Sequence, residues 1–124
     1  MMEQAITLPA DATSAVRARQ FVRDSLSSSP RGQAIEDAAL LCVTELVANV
    51  ARHTDSHECV VRVVDEDQDV TIEVMDECGE APTVADGRDP MQETGRGLRI
   101  VEALADDWGV RSVPGQGKTI WLRF

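Results

Sequence analysis

Glu45 and Asn49 stand four residues apart in Glu45-Leu46-Val47-Ala48-Asn49, a spacing that sends both side chains out of a helix in nearly the same direction. The amide oxygen of Asn49 is a neutral, hard ligand of the kind Mg²⁺ takes, and a carboxylate one turn away can orient or deprotonate a hydroxyl. Arg52 joins them on the same side. Asp76 ends the alternation Val70, Ile72, Val74, Asp76. A carboxylate at an apolar parity needs a donor, and the exocyclic amine of adenine would supply one. Gly95-Arg96-Gly97-Leu98 precedes an amphipathic stretch, where backbone amides and a helix N-terminus can meet phosphates. Gly117-Lys118-Thr119 completes the series. Each cluster has a plain alternative: an exposed polar helix face, a strand-ending turn aspartate, an ordinary loop-to-helix glycine pair. In combination they supply a base, a metal ligand, an adenine-reading carboxylate and a glycine-hinged phosphate cradle, the parts needed to hold ATP with Mg²⁺.

The elements that must position these residues follow from periodicity. Residues 4–8 read as a short edge strand. Residues 11–28 read as a helix carrying Ala18, Phe21, Val22, Ser25 and Leu26 at helical spacing, with Asp11 or Thr13 to cap it and Pro30 and Gly32 after it. A second helix spans about 33–53. Its Leu40, Val43, Leu46, Val47 and Val50 share one arc, with Glu45, Asn49 and Arg52 clustered on the other side and bordered by Leu41 and Cys42. Residues 58–64 and 70–76 read as an antiparallel hairpin across an acidic turn. The glycine- and proline-bearing stretch 77–94 has the length of a lid. Leu98, Val101, Leu104, Ala105 and Trp108 then predict a third helix, and a last hairpin pairs roughly 108–113 with 118–124. This order predicts one domain over 1–124, an α/β (α+β) two-layer sandwich: a mixed, mostly antiparallel sheet with helices on one face.

The bulk composition narrows the partners. The 124 residues carry a net charge of −10, and Lys118 is the only lysine. Such a field repels DNA and anionic membrane, and an anionic nucleotide would need Mg²⁺ and backbone amides to neutralise it. No basic-then-apolar leader and no apolar run of membrane-spanning length appear. Three cysteines, Cys42, Cys59 and Cys78, lack a paired spacing. Free thiols in a reducing cytoplasm are the expectation.

Competing motifs fail on specifics. In the dinucleotide fingerprint Ile100 stands where the third glycine belongs. A P-loop ending at Gly117-Lys118-Thr119 would need a glycine at Ser112 and a following helix, for which only five residues remain. His53, His57 and Cys59 match no zinc spacing, and there is no glycine-flanked serine elbow.

The combination resembles the histidine-kinase-like ATPase (Bergerat) fold shared by gyrase, Hsp90 and histidine kinases. More narrowly it resembles the short anti-sigma-factor serine protein kinases of actinobacterial type, from about residue 7 onward. The resemblance is carried by Glu45 through Thr54, by Gly95-Arg96-Gly97-Leu98-Arg99-Ile100-Val101, and by Trp108-Gly109 followed by Gly117 to Trp121. It implies that Glu45 is the general base for a target serine, Asn49 a Mg²⁺ ligand and Arg52 part of the nucleotide site. It implies further that Asp76 reads adenine with Thr119 assisting, and that Gly95, Arg96, Gly97 and Leu98 end a phosphate-contacting lid. The implied partners are a sigma factor and an anti-sigma-factor antagonist protein, the latter phosphorylated on serine. One departure stands out: the family's better-known kinases carry a glycine two places after that aspartate. Here Cys78 holds the place and Gly79 follows as the candidate for close backbone approach. That shift favours a second reading, a catalytically inactive nucleotide-sensing or nucleotide-free interaction module. If Thr119 faces the nucleotide, Trp121 shares its side while Ile120, Leu122 and Phe124 point through the other face. That apolar face would need a cover, a second copy or a partner protein.

Overall fold

The computed structural model describes residues 1–53, 57–66, 68–76, 96–113 and 117–124. The described elements run β1 (Met2–Pro9), α1 (Ser14–Leu26), α2 (Gly32–His53), β2 (Glu58–Glu66), β3 (Asp69–Asp76), α3 (Arg96–Leu104), β4 (Asp107–Val113) and β5 (Gly117–Arg123). The five strands form one sheet in the order β1-β2-β3-β5-β4. All four pairings are antiparallel, so the expected mixed sheet is purely antiparallel among the described residues.

The helix starts and stops have local causes. Before α1, the Asp11 carboxylate accepts from the backbone N–H of Thr13 at 3.0 Å and from its hydroxyl at 2.6 Å. The Thr13 hydroxyl in turn holds the Asp11 carboxyl below its ordinary value. Asp11 thus shapes the turn that launches the helix, while Thr13, the residue preceding it, makes no side-chain cap of its own. Between α1 and α2 the chain passes so close to itself that a Cβ on Gly32 would fall 1.9 Å from the Leu26 carbonyl oxygen. Only glycine fits there.

The three described helices lie over one face of the sheet in strand order: α1 over β1 and β2, α2 over β3, α3 over β4, each packed beside its neighbour. The core between the layers is aliphatic, with Val22, Leu26, Val43, Leu46 and Val47 facing Leu8, Val61, Val63, Ile72, Val74 and Leu122. Burying such side chains is worth about 1.5–3 kcal/mol each, which is how a chain with only 3% aromatic residues holds its layers together.

Two expectations are corrected. The helical spacing of Ala105 and Trp108 does not extend α3. Ala105 makes the last helical bond, to Val101 at 2.9 Å, and Asp106 then donates to the Arg123 carbonyl at 2.9 Å, so Trp108 enters β4, where the expected hairpin over 108–113 also places it. Strand pairing with β5 satisfies that backbone more fully than another helical turn would. The faces of β5 are also the reverse of those expected. Ile120, Leu122 and Phe124 are 3%, 0% and 2% exposed and belong to the core, whereas Thr119, Trp121 and Arg123 lie on the face turned away from the helices. Burying three apolar side chains outweighs burying a set that includes an arginine.

The face away from the helices is not simply apolar. Half-buried Val60, Val64, Met75 and Trp121 surround Glu73, which is only 8% exposed. Arg62 pairs with Glu73 at 3.1 Å and with Glu3 at 3.4 Å, Arg111 also holds Glu73, and Arg123 pairs with Asp107 at 2.8 Å. The Trp121 ring lies over Gly109, where a Cβ would meet it at 2.7 Å.

Candidate functional site

The polar row of α2 sits at the border of the core. Cys42, Leu46 and Val50 are buried beside it and Leu41 on its other flank is exposed, so the row lines the seam between packed interior and surface. Asn49 is 7% exposed, Glu45 is half-buried and Arg52 reaches solvent. The Arg52 guanidinium donates to Asn49 Oδ1 at 2.6 Å. A cationic group therefore already rests on the oxygen expected to ligate Mg²⁺. An amide oxygen has two lone pairs, so it can accept from Arg52 and still present an electron pair to a hard cation.

Asp76 is 4% exposed and is the last residue of β3, the strand under α2. Cross-strand register sets it in a row with Leu8 of β1, Cys59 of β2, Lys118 of β5 and Ser112 of β4, all on the helix-covered side. The Lys118 ammonium lies 3.9 Å from Asp76 Oδ2, with side chains 14% and 2% exposed respectively. Burial raises the Cys59 thiol, and the charges of Asp76 and Asp11 raise it further. Burial alone pushes Cys42 up to about 11, so both thiols are protonated at neutral pH.

β3 ends at Asp76, and α3 begins at Arg96, alongside α2. Arg96, Gly97 and Leu98 thus form the first turn of a helix that adjoins the Glu45/Asn49 helix. Gly79, Gly95 and Cys78 lie outside the described residues.

The structure accordingly brings the α2 row, Asp76 and the start of α3 onto neighbouring packed elements. It does not bring Thr119 to them. Thr119 is paired with Met75 and Arg111, one residue out of phase with Asp76, and so faces the opposite side of the sheet. Lys118 takes the position expected of it. The lysine carries no sequence signal for this, because its place depends on which strand pairs with β3 and in what register. Glu73, buried on the open face, was equally illegible for the same reason. Among the described residues no group of three or more His, Cys, Asp or Glu side chains gathers to hold a metal, and no helix is long and apolar enough to cross a membrane.

A comparison against curated proteins gives no match. Among solved structures, 99% of the chain superposes on part of the crystal structure of the RsbU and RsbW domains of Rv1364c from Mycobacterium tuberculosis, with a TM-score of 0.71 and 21% identity. The chain spans 32% of that protein's chain, and what the two share at this identity is the fold. Residues 8–124 match the family model described as the histidine kinase-like ATPase domain. With the sheet-and-helix layering, a buried amide on α2 and a buried carboxylate on β3, and a family match over nearly its whole length, the chain belongs to the histidine kinase-like ATPase domain family.

Proposed function

We propose that this chain binds Mg-ATP and transfers the γ-phosphoryl group to a serine of a protein partner, acting as an anti-sigma factor whose substrate is an anti-sigma-factor antagonist. The observation that carries the reading is the burial of Asn49 and Asp76 on two elements packed against each other. Neither polar group lies in bulk water, where an exposed helix face or a turn aspartate would put it.

In this reading each residue has one task. Asp76 accepts from the exocyclic amine of adenine. Asn49 Oδ1 would hold Mg²⁺, and Arg52, already beside that oxygen, would add positive charge toward the phosphates. Mg²⁺, when bound, neutralises phosphate charge that a protein of net −10 would otherwise repel. The amides of Gly95, Arg96, Gly97 and Leu98 at the start of α3 meet the phosphates, as a helix N-terminus favours, and Gly79 provides close backbone approach to the base. Glu45 takes the serine proton as Oγ attacks the γ-phosphorus and the bond to the β-phosphate oxygen breaks, releasing ADP.

Titration calorimetry with ATP and Mg²⁺ tests the first layer. Binding in the micromolar to sub-millimolar range is expected. No heat at millimolar nucleotide would leave only the nucleotide-free interaction module, the reading that Cys78 in the usual glycine's place favours.

The open face of the sheet suits a second copy of the chain. Arg62, Arg111 and Arg123 are there matched by Glu3, Glu73 and Asp107, with Val60, Val64, Met75 and Trp121 among them. On a chain of net charge −10, a face with its own charges matched is where two copies repel least. Sedimentation velocity at high micromolar concentration is expected to show a species of twice the chain mass. A strictly monomeric species would argue against this face as a dimer interface.

A further inference from the structure

Lys118 is the only lysine of the chain, and strand register rather than local sequence decides its surroundings. It stands directly across from Asp76 on the same sheet face, its ammonium 3.9 Å from Oδ2. A lysine has a long flexible stem and, near a strand end, ordinarily extends its charge into water. Here the side chain is only 14% exposed, against 2% for the aspartate. A partly buried ammonium is costly without a counter-charge, and so is a buried carboxylate; each offsets the other's cost. Of its neighbours across the row, Leu8 is apolar, Cys59 is a protonated thiol and Ser112 is exposed, so Lys118 is the cation of that row.

A carboxylate accepts at both oxygens only when ionised; protonated, one oxygen becomes a donor and clashes with the amine it should accept from. We propose that Lys118 is a positioning residue for base recognition: its ammonium holds Asp76 as an oriented, ionised acceptor for the exocyclic amine of adenine. The inference rests on the Mg-ATP reading of the site and extends it to a residue that acts through Asp76. Because the action passes through one hydrogen bond of the base, it makes a demand that a phosphate-binding or purely structural lysine would not.

The test compares the full chain with K118M and K118R, using ATP and purine riboside 5′-triphosphate, which lacks the amine, each with Mg²⁺ in calorimetry. K118M is expected to weaken ATP binding about tenfold and the analogue less than about twofold, the size of one charge-assisted hydrogen bond, with K118R restoring most of the loss. Equal losses for both nucleotides would place the ammonium on the phosphates or in the scaffold and overturn the proposal, as would no loss at all. In the free protein, a denaturation cycle of K118M, D76N and the double variant is expected to be non-additive; additive effects would refute the pairing itself. A parent chain that binds neither nucleotide, with the cycle still non-additive, would defeat the nucleotide reading and the recognition role together while leaving the ion pair established.

Discussion

Glu45→Ala is expected to slow phosphoryl transfer to a serine-bearing protein substrate by about 10²–10⁴-fold while changing Mg-ATP affinity by less than about threefold. The asymmetry follows from position. Glu45 is one helical turn before Asn49 and half-buried, so its carboxylate adjoins the amide expected to hold the metal without itself lying in the core. Removing it deletes the proton acceptor and leaves the Asn49–Arg52 contact and the Asp76–Lys118 pair in place. A half-exposed side chain also contributes little to folding, so stability should move by no more than about 0.5 kcal/mol. Initial rates with labelled ATP, run beside calorimetry of the same variant, decide the matter. Undiminished transfer would remove Glu45 from the chemistry, and a parallel loss of nucleotide affinity would make it a binding residue instead.

Asp76→Asn should act on binding rather than turnover. The amide keeps the size of the carboxylate but loses its charge and turns one acceptor into a donor, so ATP affinity is expected to fall about 30- to 100-fold, the cost of a charged hydrogen bond and its mispaired replacement. The same change leaves the Lys118 ammonium without its counter-charge in a site where both side chains are largely shielded. A loss of about 1–3 kcal/mol in unfolding free energy should accompany the loss of affinity. Calorimetry and urea unfolding measure the two separately. Wild-type affinity in a folded D76N protein would mean that the base is read elsewhere.

The order of elements was legible because each announces itself locally. The apolar arc of α2 repeats every three to four residues, and the alternation of β3 puts Val70, Ile72 and Val74 on one side. These patterns carried the Glu45/Asn49 row and Asp76 with them, since a functional residue's phase is fixed by the apolar residues around it. The departure from that rule is equally specific. The family resemblance puts Thr119 at the adenine, and that placement implies a parity for β5 in which Thr119 faces the site. The strand instead obeys its own apolar set, Ile120, Leu122 and Phe124, all at 3% exposure or less. Likewise Trp108 fits a helical period and a strand equally well, and only the bonds of β4 to β5 decide between them.

By itself, then, the sequence determined which residues could form a nucleotide site and which helix and strand present them, because backbone periodicity is a property of neighbours along the chain. The tertiary structure alone decided that Lys118 and not Thr119 stands beside Asp76, that Glu73 is buried among arginines, and that the apolar half of β5 belongs to the core. Those facts depend on the register between strands far apart in sequence, and a shift of one residue there exchanges the two faces of the sheet.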